Sequence, residues 1–260
     1  MNAAAAPRVL VVAGLDPSGG AGLVADAEAL LLVGARPLPV ATALTVQGPR
    51  GALEFEPVSA RMLRAQIEGL LHGRGQRPRA VKTGMLGTGD HAALLARLLS
   101  LSPLARLPVV VDPVLAASSG LPLLRDARGR RPGAVLASLL ARATLATPNL
   151  PELAALTGAA LEDDDDAVDA ARALPSRAVL VKGGHRRGAP VDLLVTRRAV
   201  VRLPGRRRPG VARGTGCRLA SAIAGLLARG VPLEEAVREA KRVVERYLDA
   251  ASCPCPPSRG

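Results

Sequence analysis

Aromatic side chains are nearly missing: Phe55 and Tyr247 stand alone among 260 residues, and there is no tryptophan. Proteins that grip single-stranded nucleic acid stack its bases on aromatic rings, so that class of function is disfavoured from the start. Lysine is scarce as well. Only three of the 35 basic residues are lysine, and 22 acidic residues leave a formal charge of +13, a balance that by itself suggests a polyanionic partner. The arginines do not form one patch, however. Arg128, Arg130 and Arg131, then Arg186 and Arg187, then Arg206, Arg207 and Arg208 are scattered along the chain. With abundant Ala, Gly, Leu and Pro they read as a compositional bias spread over the surface, and nucleic acid is not the expected partner. The cysteines are Cys217, Cys253 and Cys255; an odd count without a CxxC pair indicates neither a disulfide framework nor a zinc site. Long apolar runs are lacking too. The longest uncharged stretches, such as 37–49, are too short for a bilayer and are broken by Pro, Thr and Gly. Met1 to Pro7 carries no basic head with an apolar segment behind it, so a cytoplasmic protein without membrane contact is expected.

What is present is enough for a substantial core. Hydrophobic residues make up 48%, charged residues 22%, and the length suits one large domain. Residues 1–252 are expected to form that domain, and 253–260 a disordered Pro/Cys tail. Short β-rich runs (Val9 to Ala13, Val40 to Leu44, Ala80 to Thr83, Val109 to Val111, Thr144 to Thr147, Ala178 to Val181) alternate with amphipathic or Ala/Leu-rich helical stretches. This alternation predicts an α/β fold with a mostly parallel central sheet covered by helices on both faces. From Asp192 to Arg202 the pattern becomes that of an antiparallel hairpin at one sheet edge. Two helices, about Cys217 to Arg229 and Leu233 to Ala251, close the chain. Ligands of such sheets sit beyond the carboxyl ends of the strands, and the chemistry-bearing motifs fall there.

The first strand runs into Gly14-Leu15-Asp16-Pro17-Ser18-Gly19-Gly20-Ala21-Gly22 and then a helix expected over Leu23 to Val33. Glycines allow close approach of a ligand to backbone, and a helix start offers free N–H groups; neither a Walker A nor a GxGxxG spacing is present. Asp26 lies on the inward stripe of that helix, where an unpaired carboxylate is costly, so a ligand donor is expected to satisfy it. Gln47 ends the second strand with a donor and an acceptor that can read a heteroaromatic edge. Asp112 follows the strand ending at Val111, and Asn149 and Glu152 follow the one ending at Thr147. These hard oxygen donors at adjacent strand ends suit Mg²⁺ completed by phosphates. Lys182 ends the strand over Ala178 to Val181, placed for nucleotide phosphates. His72 and His185 have no partner at metal-binding spacing, and Asp163 to Asp166 read as acidic residues opening a helix. Arg213-Gly214-Thr215-Gly216-Cys217-Arg218 is the most specific motif. Two glycines around Thr215 expose backbone N–H groups at a helix start, a cradle for a transferring phosphoryl group. The helix dipole and the flanking arginines are expected to lower the Cys217 pKa, so that its thiolate can accept a hydroxyl proton.

These segments, together with Thr42-Ala43-Leu44, Lys82-Thr83-Gly84-Met85-Leu86, Asp112-Pro113-Val114 and Lys182-Gly183-Gly184-His185, resemble the hydroxymethylpyrimidine/phosphomethylpyrimidine kinases of thiamin biosynthesis. The resemblance covers about residues 8 to 250. It implies a three-layer ribokinase-like fold and ATP-dependent, Mg²⁺-assisted phosphorylation of a hydroxymethylpyrimidine, then of its monophosphate, by an often dimeric enzyme. It places Gln47 and Asp26 on the pyrimidine, with Gly14, Ala21, Met85 and Val114 as pocket wall. Asp112, Asn149 and Glu152 organise Mg²⁺ in this likeness, Lys182 and Lys241 lie along the nucleotide, Gly214 to Gly216 form the cradle, and Cys217 is the base. The family usually has Thr-His before its Gly-Thr-Gly-Cys and Thr after it, where Ala212-Arg213 and Arg218 stand here; Ser118 replaces a usual lysine. Arg213 is expected to bind phosphate oxygens bidentately. A pyridoxal kinase and a non-catalytic pyrimidine-binding relative remain the alternatives.

Overall fold

The computed structural model describes residues 6–48, 51–72, 77–101, 103–185, 190–206 and 213–251. The tail with Cys253 and Cys255, the pair Arg186 and Arg187, and Arg207, Arg208 and Ala212 lie outside the described residues. In chain order the elements are β1 (Arg8–Leu15), α1 (Gly22–Leu32), β2 (Arg36–Gly48), β3 (Gly51–Pro57), α2 (Ala60–His72), β4 (Pro78–Thr83), β5 (Gly87–Thr88) and α3 (Gly89–Leu98). There follow β6 (Val109–Val111), β7 (Leu124–Arg125), α4 (Pro132–Leu140), β8 (Leu145–Ala146), α5 (Leu150–Thr157), α6 (Asp164–Ala173) and β9 (Ala178–Val181). The chain closes with β10 (Val191–Thr196), β11 (Val200–Pro204), α7 (Thr215–Ala228) and α8 (Leu233–Ala251). No described helix is long and apolar enough to cross a membrane.

The strands form a nine-stranded sheet in the order β11-β10-β9-β8-β6-β4-β1-β2-β3. From β9 to β2 every pairing is parallel. The expected hairpin is present, β10 lying antiparallel between β9 and β11. The opposite edge is antiparallel as well, because β3 turns back on β2. The sequence reading does not include this strand and expects β2 only from Val40, whereas it begins at Arg36, with Pro37 and Pro39 inside it although proline is confined mostly to strand edges. In fact Leu38 and Val40 point inward while Pro37 and Pro39 pair alongside Val9 and Val11 of β1.

Alternation along the buried strands divides the interior into two layers of core. Leu10, Val12, Val81, Val109 and Val111 face α2 to α6 through Leu63, Leu95, Leu136, Leu153 and Val168. Val9, Val11, Ala80 and Val110 face α1, α7 and α8 through Leu30, Ile223 and Val237. Both faces of a parallel sheet must be covered, and the result is the expected three-layer arrangement. Helix α6 begins as the acidic run implies: Asp163 caps it, accepting the N–H groups of Asp165 and Asp166. A small third cluster of Ala43, Phe55, Met85 and Leu123 lies under the carboxyl ends of the central strands.

Candidate active site

Two clefts open beyond the carboxyl ends of the strands. One, of about 270 Å³, is lined by Gly14, Asp16, Ala21, Thr45, Gln47, Lys82, Met85 and Val114, and reaches Asp112, Glu152 and Cys217. It exceeds the roughly 150 Å³ void that takes up a benzene ring. The other lies between β10 and α8, lined by Pro190, Asp192, Lys241, Val244 and Leu248. Lys182, Thr215 and Gly216 belong to both. Where the clefts meet, α7 begins two residues earlier than the sequence suggests, so Thr215, Gly216 and Cys217 form its first turn. Its cap, Gly214, has φ 68°, and a Cβ there would sit 2.2 Å from the Gly20 carbonyl oxygen; both facts demand glycine. No side chain caps this helix start, which leaves its N–H groups open to an anion.

The electrostatic floor is built from the ends of β4, β6 and β9. Lys182 Nζ donates to Asp112 Oδ1 at 2.8 Å and lies 3.8 Å from Glu152 Oε2. Thr147 Oγ1 donates to Asp112 Oδ1 at 3.1 Å. Burial opposes the Asp112 charge, but Lys182 and Lys82 outweigh it and hold the carboxyl below its ordinary value. Burial, aided by Asp112, pushes Glu152 up. Two carboxylates thus share one ammonium here. Helix α5 starts with a reciprocal box in which Asn149 Oδ1 accepts the Glu152 N–H and Glu152 Oε2 accepts the Asn149 N–H, both at 2.8 Å. The pair expected to face a cation one turn apart is therefore committed largely to the helix end. Asn149 lines the cleft with Glu152 and also orients it as the cap of α5.

Asp26 faces inward as expected but does not meet a ligand. The side chain is fully buried and off the cleft wall. Its donor is not a ligand but Lys82, whose Nζ lies 2.8 Å from both carboxylate oxygens, with Ser221 Oγ donating at 2.8 Å. Lys82 itself reaches the cleft. Burial works against its charge, and the carboxylates of Asp26 and Asp112 outweigh that and hold the ammonium above its usual range. Lys82 had not been singled out for a role; a lysine ending a buried strand, with a carboxylate on a buried helix stripe, is the signal that could have paired them.

The expectation for Cys217 is overturned. Burial raises the thiol to about 11, against which Lys82 and the Gly22 N–H act only in part. The flanking arginines are bound to other groups. Arg213 donates to Gly48 O at 2.8 Å, Ser18 Oγ at 3.3 Å and Asp16 Oδ2 at 3.2 Å, and Arg218 is bound to Glu28, Gly20 O and Arg213 O. Arg213 lines the first cleft, beside the cradle, and not the second. Lys241 does lie in the second cleft, paired with Asp192 and donating to Leu203 O at 3.1 Å. Gln47 Oε1 is 3.4 Å from Thr45 Oγ1 at the mouth of the first cleft. Gly14 is packed so closely on Met85 that a Cβ would approach its sulfur to 2.8 Å.

This geometry, two clefts meeting at an uncapped glycine-rich helix start over a lysine and two carboxylates, is suited to hold a phosphoryl group between two ligands. A family model described as phosphomethylpyrimidine kinase matches residues 16–255. The chain belongs to the phosphomethylpyrimidine kinase family. It is 40% identical over 249 residues to the hydroxymethylpyrimidine/phosphomethylpyrimidine kinase of Streptomyces coelicolor, covering 94% of this chain and 89% of that one. The crystal structure of the Clostridium difficile phosphomethylpyrimidine kinase is similar with a TM-score of 0.78 at 31% identity, over 93% of this chain and 99% of that one. The Staphylococcus aureus pyridoxal kinase, in complex with AMP-PCP and pyridoxal, is similar with a TM-score of 0.80 at 28% identity, over 93% and 88%. The kinase fold of the family accounts for the ribokinase-like layers described above.

Proposed function

We propose that this kinase transfers the γ-phosphoryl group of ATP to the primary hydroxyl of 4-amino-5-hydroxymethyl-2-methylpyrimidine, and then to the resulting monophosphate, in thiamin biosynthesis. The observation that carries the reading is the shared wall: Lys182, Thr215 and Gly216 face both clefts, so a phosphoryl group can pass between them without leaving the cradle. ATP occupies the cleft beside Lys241 and α8. The pyrimidine occupies the other, between Met85 and Val114, with the Gln47 amide reading its ring edge. The open N–H groups of α7 and the Lys182 ammonium take up the charge that spreads over the phosphoryl oxygens, and positioning of this kind supplies most of the rate in such reactions.

Mg²⁺ suits the site. Among the described residues no cluster of three or more His, Cys, Asp or Glu side chains could hold a metal alone, but Mg²⁺ commonly uses one or two carboxylates and completes its shell with phosphates and water. Asp112 and Glu152 carry one more negative charge than Lys182 balances, and they would hold the ion, which when bound offsets charge on the nucleotide phosphates. Cys217 is a neutral thiol in the free protein at neutral pH, and the amides carry more of the rate than it does. A homodimer in the cytoplasm fits the family, and Leu44, Val46 and Leu53, all more than half exposed at the β2–β3 edge, are available to a second copy.

An ATP-consumption assay run side by side with hydroxymethylpyrimidine, its monophosphate and pyridoxal tests the reading. Turnover of the first two above pyridoxal is expected; turnover of pyridoxal alone establishes the second reading, which the likeness to pyridoxal kinase backbones supports. Pyrimidine binding by calorimetry with no turnover identifies a non-catalytic relative.

A further inference from the structure

The two arginines that flank the Gly-Thr-Gly-Cys segment occupy one connected set of contacts. Arg218, in the first turns of α7, is 4% exposed. Its Nη1 donates to Gly20 O at 3.2 Å and to Arg213 O at 3.3 Å, its Nη2 pairs with Glu28 of α1, and its guanidinium lies 4.0 Å from the centre of the Tyr247 ring on α8. The same guanidinium packs against the cap of the cradle, where a Gly214 Cβ would meet Nη1 at 2.9 Å and Gly20 O at 2.2 Å. Arg213 binds the other side of the loop after β1 through Asp16 and Ser18, and the end of β2 through Gly48 O.

Three parts of the site therefore converge on these side chains. The loop over 16–22 walls the pyrimidine cleft, Gly214 opens the phosphate cradle, and α8, which carries Tyr247, also supplies Lys241 and Val244 to the nucleotide cleft. We infer that Arg218, assisted by Arg213, is a positioning residue that fixes the separation between the acceptor loop and the phosphate cradle and joins both to the nucleotide-side helix. Arg218 lines neither cleft, and Arg213, which lines the first, spends its donors on Asp16 and two neutral oxygens. Carbonyl oxygens that face each other across a tight junction repel, and a planar cation with several fixed donors is suited to hold Gly20 O and Arg213 O together. Misplacing reacting groups by about 1 Å can cost on the order of 10²-fold in rate.

The inference rests on the proposed phosphoryl transfer, and wild-type turnover is the control that separates the two: no turnover by wild type overturns that reading, and only turnover lets the variants speak. With Arg218→Leu, kcat is expected to fall about 10- to 100-fold, while the KM values for pyrimidine and ATP stay within about threefold. Arg213→Ala, at the partly open rim, is expected to show the same pattern with a smaller fall and covers the case in which Arg218→Leu does not fold. Tyr247→Phe keeps the ring face and should retain kcat, whereas Tyr247→Leu should lower it. Unchanged kcat in folded Arg218→Leu or Arg213→Ala, or a loss confined to KM for ATP, overturns the inference; the latter would make the arginines nucleotide ligands.

Discussion

The Asp26–Lys82 pair gives the most quantitative test. Both side chains have no solvent exposure, and Lys82 Nζ lies 2.8 Å from each carboxylate oxygen. Replacing Lys82 with Met leaves a carboxylate buried with Ser221 as its only donor from this triad. Removing one partner of a buried pair costs about 3–5 kcal/mol, because the other charge stays behind unpaired. Against a total stability of about 5–15 kcal/mol that is a large fraction, and for a chain of this size it corresponds to a fall in Tm of roughly 6–20 °C. Removing the whole set, with Asp26→Leu, Lys82→Met and Ser221→Ala together, takes away the stranded charge and the stranded hydroxyl and should recover most of the loss. Urea denaturation followed by circular dichroism measures both variants, with unchanged m-values as the check that the transitions are comparable. A single variant that loses less than about 1 kcal/mol, or a triple variant as weak as the sum of its parts, refutes the pairing. Burial raises the Asp26 carboxyl despite Lys82 and Ser221, and at high pH the sign follows from the lysine. Lys82 is held above its ordinary value of 10.5, so its contribution is complete below that pH and is lost as pH climbs through the folded-state value.

In a Cys253→Ser/Cys255→Ser background, alkylation of Cys217 should be about 100-fold slower at neutral pH than that of a thiol with the ordinary value of 9.0, since the shift to about 11 lowers the thiolate fraction by that factor; rapid labelling at pH 7 contradicts the buried, neutral thiol. Cys217→Ala should lower kcat with little change in pyrimidine affinity, and undiminished kcat removes the residue from proton transfer. Gln47→Leu should raise KM for the pyrimidine more than KM for ATP in steady-state kinetics, and an untouched KM eliminates that contact. Glu152→Gln should raise the Mg²⁺ concentration needed for half-maximal rate in a metal titration, and an unaltered requirement leaves Asp112 as the only protein carboxylate involved.

Local signals made much of this molecule legible. The apolar runs at 9–13, 109–111 and 178–181 became β1, β6 and β9, and the glycine-rich turns after β1 and before α7 marked the two sides of the cradle. Ranges were lost where long-range pairing decides structure: β3 is ordered by its antiparallel register with β2, and β5 and β7 are two-residue strands that exist only through each other. The same reason accounts for the site. Gln47 ends a strand, so its placement follows from strand order, whereas the pocket-wall positions Gly14, Met85 and Val114 came from the family resemblance. Asp26 finds Lys82 at a separation of 56 residues and Ser221 at 195, which periodicity does not encode. The thiol of Cys217 was misjudged likewise, because helix position and neighbouring charges in sequence said nothing of burial or of where Arg213 and Arg218 turn.

The three lysines of the chain, Lys82, Lys182 and Lys241, all line one or both clefts, while the rest of the positive charge is guanidinium. Lys82 is inaccessible, and Lys182 and Lys241 are 15% and 14% exposed in their side chains. An amine-directed acylating reagent thus meets no side-chain target on the outer surface. Covalent labelling by such a reagent, beyond the α-amino group, would be affinity labelling in effect, and a bound substrate would protect against it.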